Sequence, residues 1–153
     1  MCINLGANKV MKVDVVEKSD YNKLIQIWEA SVRATHDFLL ESDLQALKPL
    51  ILHQYFDAVA LRCVKSNTGE ILGFCGVHEG NIEMLFISPD VRGQGIGKIL
   101  MEHAIKYQGA TKVDVNEQNQ MALGFYKHIG FSVKGRSPTD GQGKAYPLLH
   151  LEL

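Results

Sequence analysis

The stretch Ile87-Ser88-Pro89-Asp90-Val91-Arg92-Gly93-Gln94-Gly95-Ile96-Gly97-Lys98-Ile99-Leu100 constrains the fold more than any other part of the chain. It runs an apolar, strand-like segment into a glycine-rich turn that opens a helix. In open α/β layers such a junction sits at the carboxyl end of a strand, where ligands bind. Glycines at 93, 95 and 97 let the backbone approach a ligand closely. The first N–H groups of a helix lack intrahelical partners, and the helix dipole adds partial positive charge there. With Arg92 beside them, the N–H groups of Gln94 through Lys98 form an expected phosphate cradle.

On either side of this turn the hydrophobic period alternates between strand and helix values. Lys12 to Val16 reads as a strand, followed by a Ser19-Asp20 capping signal and a helix carrying Tyr21, Leu24, Ile25, Trp28 and Val32. Leu44, Leu47, Ile51 and Tyr55 mark a second helix that Pro49 kinks or splits. Ala58 to Ser66, Ile71 to His78 and Asn81 to Ser88 form an expected antiparallel meander, punctuated by Asn67-Thr68-Gly69 and Glu79-Gly80. After the glycine turn, Ile96, Ile99, Leu100, His103 and Tyr107 mark a helix and Lys112 to Val115 a strand. Ala122, Phe125, Tyr126 and Ile129 mark another helix. Phe131 to Val133 and Pro147 to Leu153 supply the last strands, across a loop with Pro138, Gly141 and Gly143. The link from the third meander strand to the Lys112 strand has the length of a parallel βαβ crossover. The expectation is α+β: a mixed, mostly antiparallel sheet of about seven strands flanked by about four helices.

At 153 residues and 46% hydrophobic, the chain fits a single domain over 1–153, with residues 1–10 read as a loose leader ahead of Met11. A net charge of -1 exerts no long-range pull on nucleic acid or anionic membrane, so neither is an expected partner and any anion site is local. Three cysteines, Cys2, Cys63 and Cys75, form no CxxC pair and leave one unpaired, which suits a reducing cytoplasm. Cys63 and Cys75 fall in adjacent predicted strands as buried hydrophobes. Six histidines show no ligand spacing, so no metal is expected.

Spacing separates the phosphate ligands. A P-loop needs GxxxxGK[ST], but Ile99 follows Gly97-Lys98 and Arg92 stands at the earlier glycine position. A dinucleotide fingerprint needs GxGxxG, and Gly93-Gln94-Gly95-Ile96-Gly97-Lys98 lacks its last glycine. What fits is Arg-x-x-Gly-x-Gly, here Arg92, Gly95 and Gly97, preceded by Ile87-x-Pro89. This resembles the acyl-CoA pyrophosphate turn of the GNAT (Gcn5-related N-acetyltransferase) superfamily. Downstream, Asn119-x-x-Ala122-x-x-Phe125-Tyr126-x-x-x-Gly130-Phe131 resembles that superfamily's second cofactor-side motif. The segments Thr35-His36-Asp37-Phe38-Leu39, Asn116-Glu117-Gln118-Asn119 and Tyr146-Pro147-Leu148-Leu149 resemble small bacterial YjaB-type members.

The resemblance implies the GNAT fold, acetyl-CoA as donor and an amine as acceptor, with peptidyl lysine proposed for the YjaB type. Transfer is by direct attack in a ternary complex, without metal. It implies that the backbone of Leu85, Phe86 and Ile87 pairs with the pantetheine arm, and Asn116 and Asn119 are candidates to hydrogen-bond it. Tyr126 is the candidate general acid, because expelled thiolate needs a proton. An alkyl amine of pKa near ~10.4 is only about 0.1% neutral at physiological pH, so a base or desolvation must help it. Glu83, on the strand approaching the centre, and His36 are the candidate bases, and His36, Asp37 and Tyr146 the candidate acceptor-cleft residues. Another acyltransferase using a small amine (antibiotic, polyamine or amino acid) and a non-catalytic CoA sensor are the alternatives. A monomer and a homodimer fit equally well.

Overall fold

The computed structural model describes the backbone of residues 2–4 and 10–153, with side chains from Met11 onward. Among the described residues, eight strands form one sheet in the order β1-β2-β3-β4-β5-β6-β8-β7. They are β1 (Cys2–Asn4), β2 (Val10–Val15), β3 (Ala60–Lys65), β4 (Ile71–His78), β5 (Asn81–Ile87), β6 (Lys112–Asn116), β7 (Ser132–Ser137) and β8 (Leu148–Glu152). The leader expected over residues 1–10 falls mostly outside the described residues; its Cys2–Asn4 segment pairs antiparallel with β2. β3, β4 and β5 make the meander, and β5 to β6 is the parallel crossover. The last strand inserts between β6 and β7.

Helical stretches cover the two faces: α1 (Tyr21–Thr35), α2 (Glu41–Leu50) continuing into α3 (Phe56–Ala58), α4 (Ile96–Gln108) and α5 (Gln120–Ile129). The cap of the first lies a turn earlier than Ser19-Asp20 suggests. Lys18–Asp20 is a 3-10 turn, and Asp20 Oδ2 accepts the Glu17 N–H at 2.9 Å, so Asp20 bonds backward. Pro49 does not split the second helix. It has no N–H to return to Gln45, and the chain stays helical by widening into a π turn over Ile51–Tyr55 before α3.

Two cores result, one on each side of the sheet. Leu24, Ile25, Ile27, Trp28 and Val32 of α1 pack with Leu44, Ile51 and Phe56 against Cys63, Phe74 and Met84. Ile96, Ile99, Leu100, Met101 and Ala104 of α4 pack with Tyr126 against Cys75, Ile82, Val113 and Val115. Cys63 and Cys75 are therefore buried in different cores, both as free thiols. Burial pushes Cys63 up to about 11 and Cys75 up to about 12, which leaves them un-ionised and poorly nucleophilic.

The sheet is opened by one extra residue. Gly76 pairs with Met84 but Val77 pairs with Ile82, so Glu83 is a bulge in β5. A bulge bends its strand and re-phases its side chains. Ile82, Leu85 and Ile87 accordingly join the α4 core, whereas Met84 and Phe86 join the α1 core. Beyond the bulge β5 leaves β6: the parallel pairing covers only Asn81 with Lys112 and Ile82 with Val113. From Glu83 onward one edge of β5 faces a cleft.

Candidate active site

The cleft between the diverging strands has two connected parts. One, of about 110 Å³, is lined by Glu83, Met84, Leu85 and Phe86 of β5, Val113 to Asn116 of β6, and His36, Asn119 and Tyr126. The other, of about 170 Å³, shares Leu85, Phe86, His36, Asn119 and Tyr126, and extends past Ile87 to Arg92, Gly97 and Phe125. The structure thus brings the β5 edge, the glycine turn and Tyr126 around one groove.

At the turn, Gly93 and Gly95 adopt φ of +81° and +82°, a region that a side chain strongly disfavours. A Cβ at either would meet nothing within 4 Å, so the space above the turn is open. Gly95 caps α4, whose first i→i−4 bond runs from the Ile99 N–H to the Gly95 carbonyl, so the N–H groups of Ile96, Gly97 and Lys98 precede the helix's own bonding. Arg92 is exposed and has no carboxylate partner among the described residues. Convergent donors, open space and a cation fit a pyrophosphate. Gly97 serves a different need from the other two. Its Cβ would lie 3.2 Å from Phe125 Cζ, so its smallness lets α5 pack on α4 where the two motifs meet.

Tyr126 is 6% exposed, with Phe125 and Phe131 edge-on to its ring at 5.2 and 5.7 Å. Burial, with Cys75 nearby, raises its phenol far above the ordinary value. It stays protonated at any working pH, so it can donate a proton and cannot act as a base. Its hydroxyl has no protein hydrogen-bond partner among the described residues.

The asparagines expected to hold pantetheine are engaged within the protein. Asn116 Oδ1 accepts the Gln118 N–H at 2.9 Å. Asn119 caps α5, accepting the Ala122 N–H at 3.1 Å, and its Nδ2 lies 3.2 Å from His36 Nε2. Because Oδ1 serves the cap, Nδ2 must donate, and His36 Nε2 accepts. His36 Nδ1 then donates to Thr35 Oγ1 at 2.7 Å, whose hydroxyl passes its own proton bond to the Ser31 carbonyl at 2.8 Å. Burial holds the imidazole below its ordinary value against the opposing pull of Asp37. The ring is neutral, as a base requires, but both nitrogens are engaged and tie α1 to α5.

Glu83 is exposed at the bulge and lines the smaller part of the cleft. Asp37 is exposed and lines neither part. Tyr146 lines neither either, because its hydroxyl donates to Asp43 Oδ2 and accepts the Leu40 N–H at 3.2 Å. It fastens the loop before β8 to the start of α2. Sequence reasoning missed Ser31, Thr35, Met121 and Phe125 in the donor part and Asp114 in the other. Asp114 carried a signal, alternating outward between Val113 and Val115, and Phe125 carried one through its place in the Asn119-to-Phe131 motif.

Comparison with known proteins agrees with this geometry. Residues 58–133 match the model of the acetyltransferase (GNAT) domain. Over 129 residues, 84% of this chain and 88% of the relative, the sequence is 46% identical to peptidyl-lysine N-acetyltransferase YjaB of Salmonella typhimurium strain LT2. The solution structure of apo-form YjaB from Escherichia coli superposes with a TM-score of 0.82 at 38% identity, covering 93% of this chain and 96% of that one. The PaiA N-acetyltransferase of Thermoplasma acidophilum, solved in complex with coenzyme A, shares the fold at 18% identity, with a TM-score of 0.70 over 94% and 99% of the two chains. With two linked motifs, the splayed sheet and these relatives in agreement, the chain belongs to the GNAT family of acetyltransferases.

Proposed function

We propose that the chain transfers acetyl from acetyl-CoA to the ε-amine of a lysine side chain in a protein or peptide, by direct attack in a ternary complex. The observation that carries the reading is the single groove with a phosphate cradle at one end, an un-ionised Tyr126 in the middle and a carboxylate-lined pocket at the other. The 46% identity to a peptidyl-lysine enzyme favours lysine over a small amine. In this reading the turn from Arg92 to Lys98 holds the pyrophosphate, and the open edge of Leu85, Phe86 and Ile87 receives the pantetheine as an extra strand. The amine attacks the thioester carbonyl carbon, and a β5 N–H facing the cleft stabilises the oxygen as it becomes anionic. The C–S bond then breaks, the Tyr126 hydroxyl protonates the leaving sulfur, the attacking nitrogen sheds its surplus proton to water, and Tyr126 regains a proton from water. We place the enzyme in the cytoplasm on its free-thiol usage.

The test is incubation with acetyl-CoA and a lysine-bearing peptide, read by mass spectrometry for one added acetyl group and by free thiol released. A matched peptide lacking lysine, and a panel of polyamine, aminoglycoside and amino-acid acceptors, are run beside it. Acetylation confined to the small amines would reject the lysine reading.

A further inference from the structure

Three side chains outside the cofactor machinery form one hydrogen-bonded chain on the sheet face away from α4 and α5. His150 Nδ1 lies 2.6 Å from Asp114 Oδ1, and His150 Nε2 lies 2.6 Å from Ser137 Oγ. Strand order explains the meeting. β8 inserts between β6 and β7, so His150 stands directly across from Asp114 on one side and from Gly135 on the other. With no side chain at Gly135, the imidazole lies open to Ser137, two residues along the same strand.

A carboxylate only accepts, so His150 Nδ1 donates to Asp114; Nε2 of the neutral ring accepts the Ser137 hydroxyl. This fixes Oδ1 and leaves Asp114 Oδ2 with no partner among the described residues. Asp114 also lines the smaller part of the cleft, together with Glu83 and Tyr126. Among the described residues no lysine or arginine lines that part, whereas Arg92 lines the other. The groove is complementary to an anion at the donor end and to a cation at the acceptor end.

Resting on the acetyltransferase reading above, we propose that Asp114, oriented by His150 and Ser137, is the anionic anchor that holds the acceptor's ammonium group in the cleft. Asp114 touches the substrate; His150 and Ser137 are positioning residues. A carboxylate pinned through one oxygen presents the other in a fixed direction, which favours a charge-assisted contact. With the ring accepting at Nε2 and donating at Nδ1, the pair's negative charge lies on Asp114.

The test is calorimetric titration of the CoA-loaded protein with Nα-acetyl-lysine methylamide and with its uncharged norleucine counterpart. The wild type should prefer the lysine probe about tenfold, the effect of one charge-assisted contact. Asp114→Asn keeps an acceptor for His150 and should bring the two probes near parity, with norleucine and CoA binding unchanged. His150→Gln, which removes the bond that orients Asp114, should reduce the lysine preference while leaving norleucine and CoA binding unchanged. A lysine preference retained in Asp114→Asn, or absent from the wild type, overturns the proposal. Thiol release is followed in parallel on the wild type. Lysine-probe preference without acetyl transfer to any amine would sink the acetyltransferase reading and leave the anchor standing.

Discussion

Asn119 Nδ2 and His36 Nε2, 83 positions apart in the chain, meet at 3.2 Å and join the end of α1 to the beginning of α5. The same asparagine caps α5, so one side chain fixes the helix that carries Tyr126 and the segment that roofs the cleft. The contact depends on an imidazole that accepts at Nε2, and protonation would replace that acceptor by a donor facing a donor.

That dependence sets a pH effect on stability. An unfolded histidine takes its proton near pH ~6.5, whereas burial holds His36 lower in the fold. Between the two values the unfolded chain binds more protons, so stability rises with pH and is lost as pH falls below about 6.5. His103 is held low by burial too and adds the same sign. Carboxylates held low by their partners act only below about 4.5, outside this window. The urea midpoint should fall from about pH 7.5 to 5.5, and His36→Gln should reduce that slope while leaving the share of His103. An unchanged slope would remove His36 from the effect.

The loop between β7 and β8 is tied down by Asp43. Its carboxylate accepts from Lys144 Nζ at 2.8 Å and from the Tyr146 hydroxyl, and these bonds hold its pKa below the usual carboxylate value. Gln142 Nε2 adds a third tether at 3.2 Å to Tyr55 Oη. Asp43→Asn keeps the shape and removes the charge, and should expose Lys144 to trypsin. Cleavage after Lys144 several-fold faster than in the wild type, with global unfolding little changed, is the expected result. Equal cleavage rates would show that the loop is held by its own turn.

The order of strands and helices was legible because the hydrophobic period switches at each boundary, and the glycine turn was legible because its chemistry is local. What pairing creates was not. No glycine or proline flags Glu83 as a bulge, and the bulge follows only from how β4 and β5 align. Asp114, His150 and Ser137 lie 36 and 13 residues apart and meet only because β8 inserts between β6 and β7. For Asn116 and Asn119 the sequence showed the amide chemistry and hid the intramolecular bonds, to the Gln118 N–H for one and to the Ala122 N–H and His36 for the other.

The glycine turn predicts two separable losses. Gly95→Ala forces alanine to φ near +82°, a strain of roughly 1–2 kcal/mol. For a domain of this size the melting temperature should fall by about 2–8 °C. A Cβ there meets no protein atom, so the steric effect falls on the ligand and acetyl-CoA KM should rise. Arg92→Ala changes no backbone and should raise acetyl-CoA KM about fivefold, the worth of ~1 kcal/mol for an exposed charge contact, with melting unaltered. Steady-state kinetics beside thermal unfolding separates the two. An Arg92→Ala enzyme with unchanged acetyl-CoA KM would take the guanidinium out of the cradle.

Tyr126→Phe tests the chemistry. The buried ring packs between Phe125 and Phe131, and phenylalanine keeps that shape, so folding and acetyl-CoA affinity should hold. Free thiols have pKa near ~8.5, so the departing thiolate is already tolerable and loss of the acid is partial. The expected fall in kcat is on the order of 10²-fold, with acetyl-CoA KM within about twofold. Burial keeps the phenol protonated, so no inflection from Tyr126 should mark the wild-type rate profile below pH ~10. A full rate in Tyr126→Phe would assign sulfur protonation to water. A loss shared equally by kcat and acetyl-CoA affinity would make the hydroxyl a binding group instead.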